Sequence, residues 1–489
     1  MRGMTLVFLI KAILLALFVT PLWDVPDETG HYAIVADLAD GRGLPLPGKS
    51  VLPPDIVSDW GKGRTLAPEE TWNWVAQHPP LYHLLAVPFL GVARAVTTDP
   101  HWRYRAPRLL SAISGAGALL LFFAVFWEAS EDSIFAFAVA SAIGFLPMYS
   151  HMSSGTNHDV LLALLCGAAA LFWVRLTRTG DFFDGAKMGI ALSLAGVTKL
   201  SALVVTAALL LLAWRLLASR GGKRLAQWLA IAVLSLSLPG LWALRHWLLL
   251  GNARLHPISR TSFSLKGLIA YLHDYAVVDH TFKNFVGLIG WTGSGAGNVR
   301  WFQISGPSLA LYVAAALAAA SLAAIWFWRT DRSGVRWIGR GAAALAFLFG
   351  ILWLFAGADG SEPFKRVLYA LLLSVPLLAL PRLFLSGERE EDLLPAWSQA
   401  IFLLFALAYL VNSWEGYEIY HAMRATNGRY FFAVLPWIAL AFVLPAVRLF
   451  RPSRGRNVVL LAILALLFLD ETAFFLWKVV PFYRGVLSP

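Results

Sequence analysis

Five acids, Asp24, Asp27, Glu28, Asp37 and Asp40, stand within residues 24–40, DVPDETGHYAIVADLAD, directly after the apolar run that opens the chain. The stretch holds no lysine or arginine, and if the chain is helical after Pro26 then Asp27, Glu28 and His31 share one turn. Carboxylates at a low-dielectric boundary hold protons more tightly, which suits a general base, and a pair of them can hold a divalent cation. Capping of a helix N-terminus accounts for Asp24 or Asp27, but not for five acids and a histidine.

Other polar groups interrupt the apolar background. In QHPPLYH, Pro79 and Pro80 suit a first helical turn, with His78 just before them facing solvent or an anion. In GTNHDVLLALL, Asn157 suits a cap and Asp159 a first turn, or both serve chemistry. Lys199, in GVTKLSA, is costly at membrane depth unless it meets an anion, either a phosphate or an acid of the first loop. LRHWLLLGNARLHP contributes Arg245, His246, Arg254 and His256; SEPFKR and RATNGRYFF add Lys365, Arg366, Arg424 and Arg429. These bases either grip phosphate or pair with nearby acids. Asp470 and Glu471 lie inside the last apolar run, as a functional pair or as partners of a base on a neighbouring helix.

Such residues need helices to hold them. The 489 residues are 58% hydrophobic and 14% charged, with mean hydropathy +0.65, far outside the range of soluble domains. Backbone groups find no partners in lipid, and no strand-like alternation of a membrane barrel is present, so the class is all-α and polytopic. Apolar segments at 3–23, 107–127, 133–150, 159–177, 186–198, 201–217, 225–248, 307–328, 337–356, 364–384, 397–412, 430–449 and 457–479 predict about 13 transmembrane helices. Lys11 interrupts the core of the first segment and no small-residue cleavage site follows it, so 3–23 reads as an uncleaved span.

The net charge of +11 comes mostly from bases in short loops, which excludes a nucleic-acid role and sets orientation instead. Bases near 175–187, 215–224, 329–340 and 448–456 all fall on one side, which is therefore cytoplasmic. The apolar stretch 79–97 then lies along the outer interface, and 186–217 becomes two short helices turning near Lys199. The acids of 128–132 run against this scheme. The chain reads as a single membrane domain over 1–489, with large external loops at 24–106 and 249–306 and no soluble C-terminal domain. Cys166, the one cysteine, excludes a disulfide within the chain.

The acidic pair after the first span, PPLYH, RAPRLLSAISGAGALLL, NHD, TKLSAL, LRHWLLLGN and GRYFF, taken in order, resemble the GT-C superfamily of polyprenyl-phosphate-dependent glycosyltransferases. Within it the chain is most similar to a large bacterial family of membrane proteins, and more distantly to the protein O-mannosyltransferases and the lipid A aminoarabinose transferases. The resemblance implies a GT-C fold on the bacterial inner membrane, with an active site facing outward. It implies Asp27 as base, Glu28 beside it and Asp159 assisting, with Mg or Mn between Asp27 and Asp159 where a metal is used. His31, His78, Asn157, Lys199, Arg245, His256, Arg429 and Tyr430 are the expected substrate contacts; His78 stands where the lipid A enzymes carry a lysine. The implied partners are a polyprenyl-phosphate sugar and a lipid-linked or envelope glycan. A transporter would keep polar sites at midplane in repeated halves, and none are seen. A polyprenyl-diphosphate polymerase or ligase would rely on the late loop, with His256, His273 and His280.

Overall fold

The computed structural model describes residues 1–61, 71–218, 224–251, 264–289, 302–303, 306–330, 336–356, 363–384, 390–420, 427–450 and 452–484. The elements run α1 (Arg2–Leu14), α2 (Glu28–Ala39), α3 (Pro54–Gly61), α4 (Leu81–Val96), α5 (Pro100–Arg105), α6 (Arg108–Ser130), α7 (Ser133–Gly144), α8 (Pro147–Met152), α9 (Asp159–Thr179) and α10 (Phe182–Gly196). There follow α11 (Ala202–Ala218), α12 (Arg224–Leu250), α13 (Leu265–Asp274), α14 (Val277–Val286), α15 (Gly306–Thr330), α16 (Arg336–Ala356), α17 (Pro363–Ala379) and α18 (Glu390–Tyr420). The chain ends with α19 (Leu435–Ile438), α20 (Leu444–Arg448), α21 (Arg454–Phe474) and α22 (Val480–Tyr483). The strands β1 (Leu288–Ile289) and β2 (Phe302–Gln303) form a two-residue antiparallel ladder pairing Leu288 with Gln303.

Each of the thirteen predicted spans contains a helix, and the protein is all-α and multi-pass. Among the described residues nine helices are long and apolar enough to cross a membrane, with shorter apolar helices at Leu81–Val96, Ser133–Gly144, Ala202–Leu217 and Arg340–Leu352. The run 186–217 is two helices, α10 and α11, with Lys199 in the turn between them. Side chains set the boundaries: Gly180 ends α9 in the left-handed region at φ 65°, and Asp181 caps α10 by accepting from the Phe183 N–H.

The core centres on α9, which packs against α6 and α10 and buries Trp173 fully. The acids of 128–132 all have basic partners: Glu128 pairs with Arg175, Glu131 with Arg178 and Asp132 with Arg456. At the other end of α9, Gly155 lets the first loop approach. A Cβ there would lie 2.3 Å from a Val25 methyl carbon. Gly428 does the same for the late chain, since its Cβ would lie 2.3 Å from the Phe285 nitrogen of α14. It opens the 3-10 turn Gly428–Val434 that carries Arg429.

Candidate active site

The turn after the first span is tightly specified. Trp23 and Asp27 both hold positive φ, 68° and 66°, a conformation that a bulky residue such as tryptophan keeps only under firm constraint. The constraint is Glu28. Its buried carboxylate pairs on both oxygens with Arg108, at 2.7 Å each, and accepts the backbone N–H groups of Trp23 and Thr156 at 2.9 Å. Arg108, fully buried, also donates to the carbonyls of Ala16, Thr20 and Pro21. Both Glu28 oxygens are fully engaged by Arg108, Trp23 and Thr156, none of which is a partner of the Asp27 side chain.

Asp27 faces the other way. It opens α2 without a side-chain capping bond, so the capping reading does not hold for it. Its Oδ1 accepts from Trp74 Nε1 at 2.8 Å, and its Oδ2 pairs with Arg429 Nη2, while the side chain stays 34% exposed. Burial is the largest influence on this carboxyl and raises its proton affinity. The Arg429 charge, the Trp74 and Arg429 hydrogen bonds and Lys199 outweigh it, so Asp27 sits below the usual carboxylate range and is ionised at neutral pH.

Asp159, buried in the first turn of α9, receives Lys199 Nζ at 2.6 Å and lies 3.7 Å from Arg429 Nε. Lys199 therefore meets an acid of α9, where the sequence left open a phosphate or an acid of the first loop. Its Nζ lies 4.4 Å from the ring centre of Tyr430, and the Arg429 guanidinium carbon lies 5.7 Å from the same ring. The structure thus gathers Asp27, Asp159, Lys199, Arg429 and Tyr430 from four distant parts of the chain. Arg429 lies between the two carboxylates, in the place a bridging divalent cation would need, so the arrangement does not fit Mg or Mn held by Asp27 and Asp159. Among the described residues no group of three His, Cys, Asp or Glu side chains is arranged to hold a metal ion.

Four histidines back this cluster. The His78 and His31 rings lie 4.6 and 4.4 Å from that of His158, and His31 Nδ1 is 2.9 Å from His83 Nε2. Burial, foremost, drives His31, His78 and His158 well below the usual imidazole range, and neighbouring Lys199 adds to this for all three, so they are neutral. His78 is half-buried against His158 and does not point freely to solvent.

The remaining expectations fare differently. Asn157 spends its side chain on the loop before α9: its amide donates to the Met152 and Gly155 carbonyls and its oxygen accepts from Asp159 N at 3.0 Å. It is fully buried and acts as a turn former. Arg245, on α12, donates to the Leu44 and Pro45 carbonyls at 3.1 and 3.3 Å and ties the first loop down. His256, with Arg254 and Arg424, lies outside the described residues. Lys365 lies 3.7 Å from Asp279 of α14, which also pairs with Lys283 at 2.5 Å. Sequence reasoning missed Trp74, Arg108, His83 and His158; NHD contained His158 all the same, and the isolated bases of an apolar chain could have pointed to Arg108.

Residues 77–252 match the family of dolichyl-phosphate-mannose-protein mannosyltransferases, a stretch that includes His78, Asn157, Asp159, Lys199 and Arg245. No curated protein matched the chain. Among solved structures, it is similar to ArnT from Cupriavidus metallidurans bound to undecaprenyl phosphate, at 15% identity over 99% of this chain and 77% of that one, with a TM-score of 0.42. The Archaeoglobus fulgidus oligosaccharyltransferase, tethered to an acceptor peptide, matches at 15% identity over 95% of this chain, which spans 55% of its length, with a TM-score of 0.36. Arabinosyltransferase EmbB from Mycobacterium smegmatis matches at 12% identity over 95% of this chain and 43% of that one, with a TM-score of 0.33. The family match over 77–252 takes in part of the ordered motifs, and the described helices make the chain a multi-pass, all-α membrane protein.

Proposed function

We propose that the protein moves a sugar from a polyprenyl-phosphate donor to a lipid-linked or envelope glycan on the extracytoplasmic face, with Asp27 as general base. The observation that carries this reading is the position of Asp27: an ionised, partly exposed carboxylate in direct contact with a cation, Arg429, that can take a phosphate. Lys199 supplies the second positive charge, and Tyr430 lies beneath both. A shallow, open apolar depression of about 230 Å³ lined by Pro80, Leu81, Leu84, Val197, Leu238 and Trp242 begins two residues from His78 and from Lys199 in sequence, and its apolar lining suits isoprenoid units.

The chemistry is a single displacement. An acceptor hydroxyl attacks the anomeric carbon, Asp27 takes its proton, and the bond from that carbon to the phosphate oxygen breaks with inversion. The leaving polyprenyl phosphate carries its charge onto Arg429 and Lys199. As phosphate draws Arg429 away, Asp27 loses its strongest stabilising partner and becomes a better base when the donor is in place. Glu28 and Arg108 hold the turn, and Arg245 holds the loop at Leu44.

The test is transfer by purified wild-type and Asp27→Asn protein from a panel of polyprenyl-phosphate sugars to membrane glycolipid extract. Asparagine keeps the shape and removes the base. The expected loss in kcat is about a thousandfold with donor binding kept; transfer at the wild-type rate would discard Asp27 as base.

A further inference from the structure

The two oxygens of Asp27 face different chemistry. Oδ2 meets Arg429, while Oδ1 accepts from the indole of Trp74, a residue that is 42% exposed. Trp60 of α3 packs beside Trp74 with ring centres 6.1 Å apart at 50°, and Trp72, two residues earlier, is 54% exposed.

Both rings are held by their surroundings. Asn73 donates from its side chain to the Gly30 carbonyl of α2 at 3.0 Å and accepts from Val75 N at 3.0 Å. Backbone bonds from Leu52 N to Thr71 O and from Asn73 N to Ser50 O fix the segment on either side of Trp72. On α3, Ile56 is fully buried, Asp55 accepts from the Tyr104 hydroxyl, and Asp59 accepts from Trp23 Nε1 at 2.6 Å. Tryptophans that merely anchored a membrane interface would direct their N–H groups to lipid head groups. Here one points at the carboxylate and the other packs on its neighbour.

We infer that Trp74 and Trp60 form the acceptor subsite, a platform that takes the C–H face of a pyranose ring and delivers one of its hydroxyls to Asp27. An indole face is flat, apolar and electron-rich, so it matches the axial C–H groups of a sugar while the hydroxyls stay free for polar partners. The donor phosphate belongs on the opposite, cationic side of the carboxylate, which leaves the tryptophan side to the acceptor. This rests on the proposed role of Asp27 and adds the chemical class that the acceptor end must present: a neutral sugar ring with one apolar face.

The test uses the full chain in phosphatidylcholine nanodiscs, with the donor that wild type consumes and glycolipid extract of bacterial inner membranes as acceptor. Trp60→Ala is expected to raise the apparent KM for extract about tenfold with kcat within twofold, and Trp60→Phe to restore most of it. n-Octyl β-glucoside, added as a competitor, should inhibit wild type and lose about tenfold in potency against Trp60→Ala. If Trp60→Ala keeps the wild-type acceptor KM while Asp27→Asn is inactive, the rings are interfacial anchors and the platform is overturned with the base intact. Transfer by Asp27→Asn at the wild-type rate would instead sink the underlying reading. Should Trp60→Ala fail to fold, Trp60→Leu keeps bulk and lacks the aromatic face: a raised acceptor KM supports the platform, and an unchanged one overturns it.

Discussion

Asp27 and Glu28 are adjacent acids with opposite employments. Glu28 is sealed against Arg108, so Glu28→Gln leaves a buried guanidinium facing a neutral amide. Removal of one partner from such a pair costs about 3–5 kcal/mol, and the melting temperature of Glu28→Gln in detergent should fall far more than that of Asp27→Asn. Arg429→Gln tests the other acid. It removes the Arg429 charge and hydrogen bond from Asp27 and leaves burial, which raises proton affinity, less opposed. The pKa of Asp27 therefore moves up. A base works deprotonated, so the acid limb of the kcat/KM profile should shift to higher pH, and an unmoved limb would separate Asp27 from the rate. Residue types were legible in the sequence, but their division of labour was not. Arg108 lies 80 positions from Glu28 and Arg429 lies 402 from Asp27, and no local pattern encodes such pairings.

At the scale of helices, the apolar segments announced themselves because a bilayer demands about 20 apolar residues per crossing. Their pairings followed other cues. Lys11, which breaks the first apolar run, donates to Glu471 at 2.7 Å, and Glu471 also accepts from Ser150 of α8. One of the two acids inside the last run is thus answered by the one lysine inside the first, the second of the alternatives the sequence left open. Asp470 accepts from Ser308 of α15. Lys11→Met alone strands a carboxylate that is 2% exposed and should destabilise α1 against α21 by about 3–5 kcal/mol. Lys11→Met with Glu471→Met should recover most of that, because an apolar pair suits the same place. Thermal unfolding of the single and double variants measures the coupling, and additive losses would deny it. The 128–132 acids, which ran against the charge scheme, likewise pair with Arg175, Arg178 and Arg456.

For the molecule as a whole, orientation remains the point on which the proposed function depends. Cys166 is fully buried, so the native chain offers a quiet background for thiol labelling. Ser58→Cys, on exposed α3, should react with a membrane-impermeant maleimide in intact cells, and Thr179→Cys, at the α9–α10 turn, only after permeabilisation. The reverse pattern would turn the active site to the cytoplasm. The site also draws on residues far apart in the order of synthesis. Asp159 and Lys199 can meet while the chain is half made, yet Asp27 waits for Arg429, and Asp24 waits for the hydroxyl of Tyr483. Within one turn, Glu28 therefore finds Arg108 early and Asp27 finds Arg429 late. On the proposed reading, Arg108 sets the turn in place long before Asp27 gains the Arg429 cation, so during synthesis the scaffold of the site precedes its charge balance.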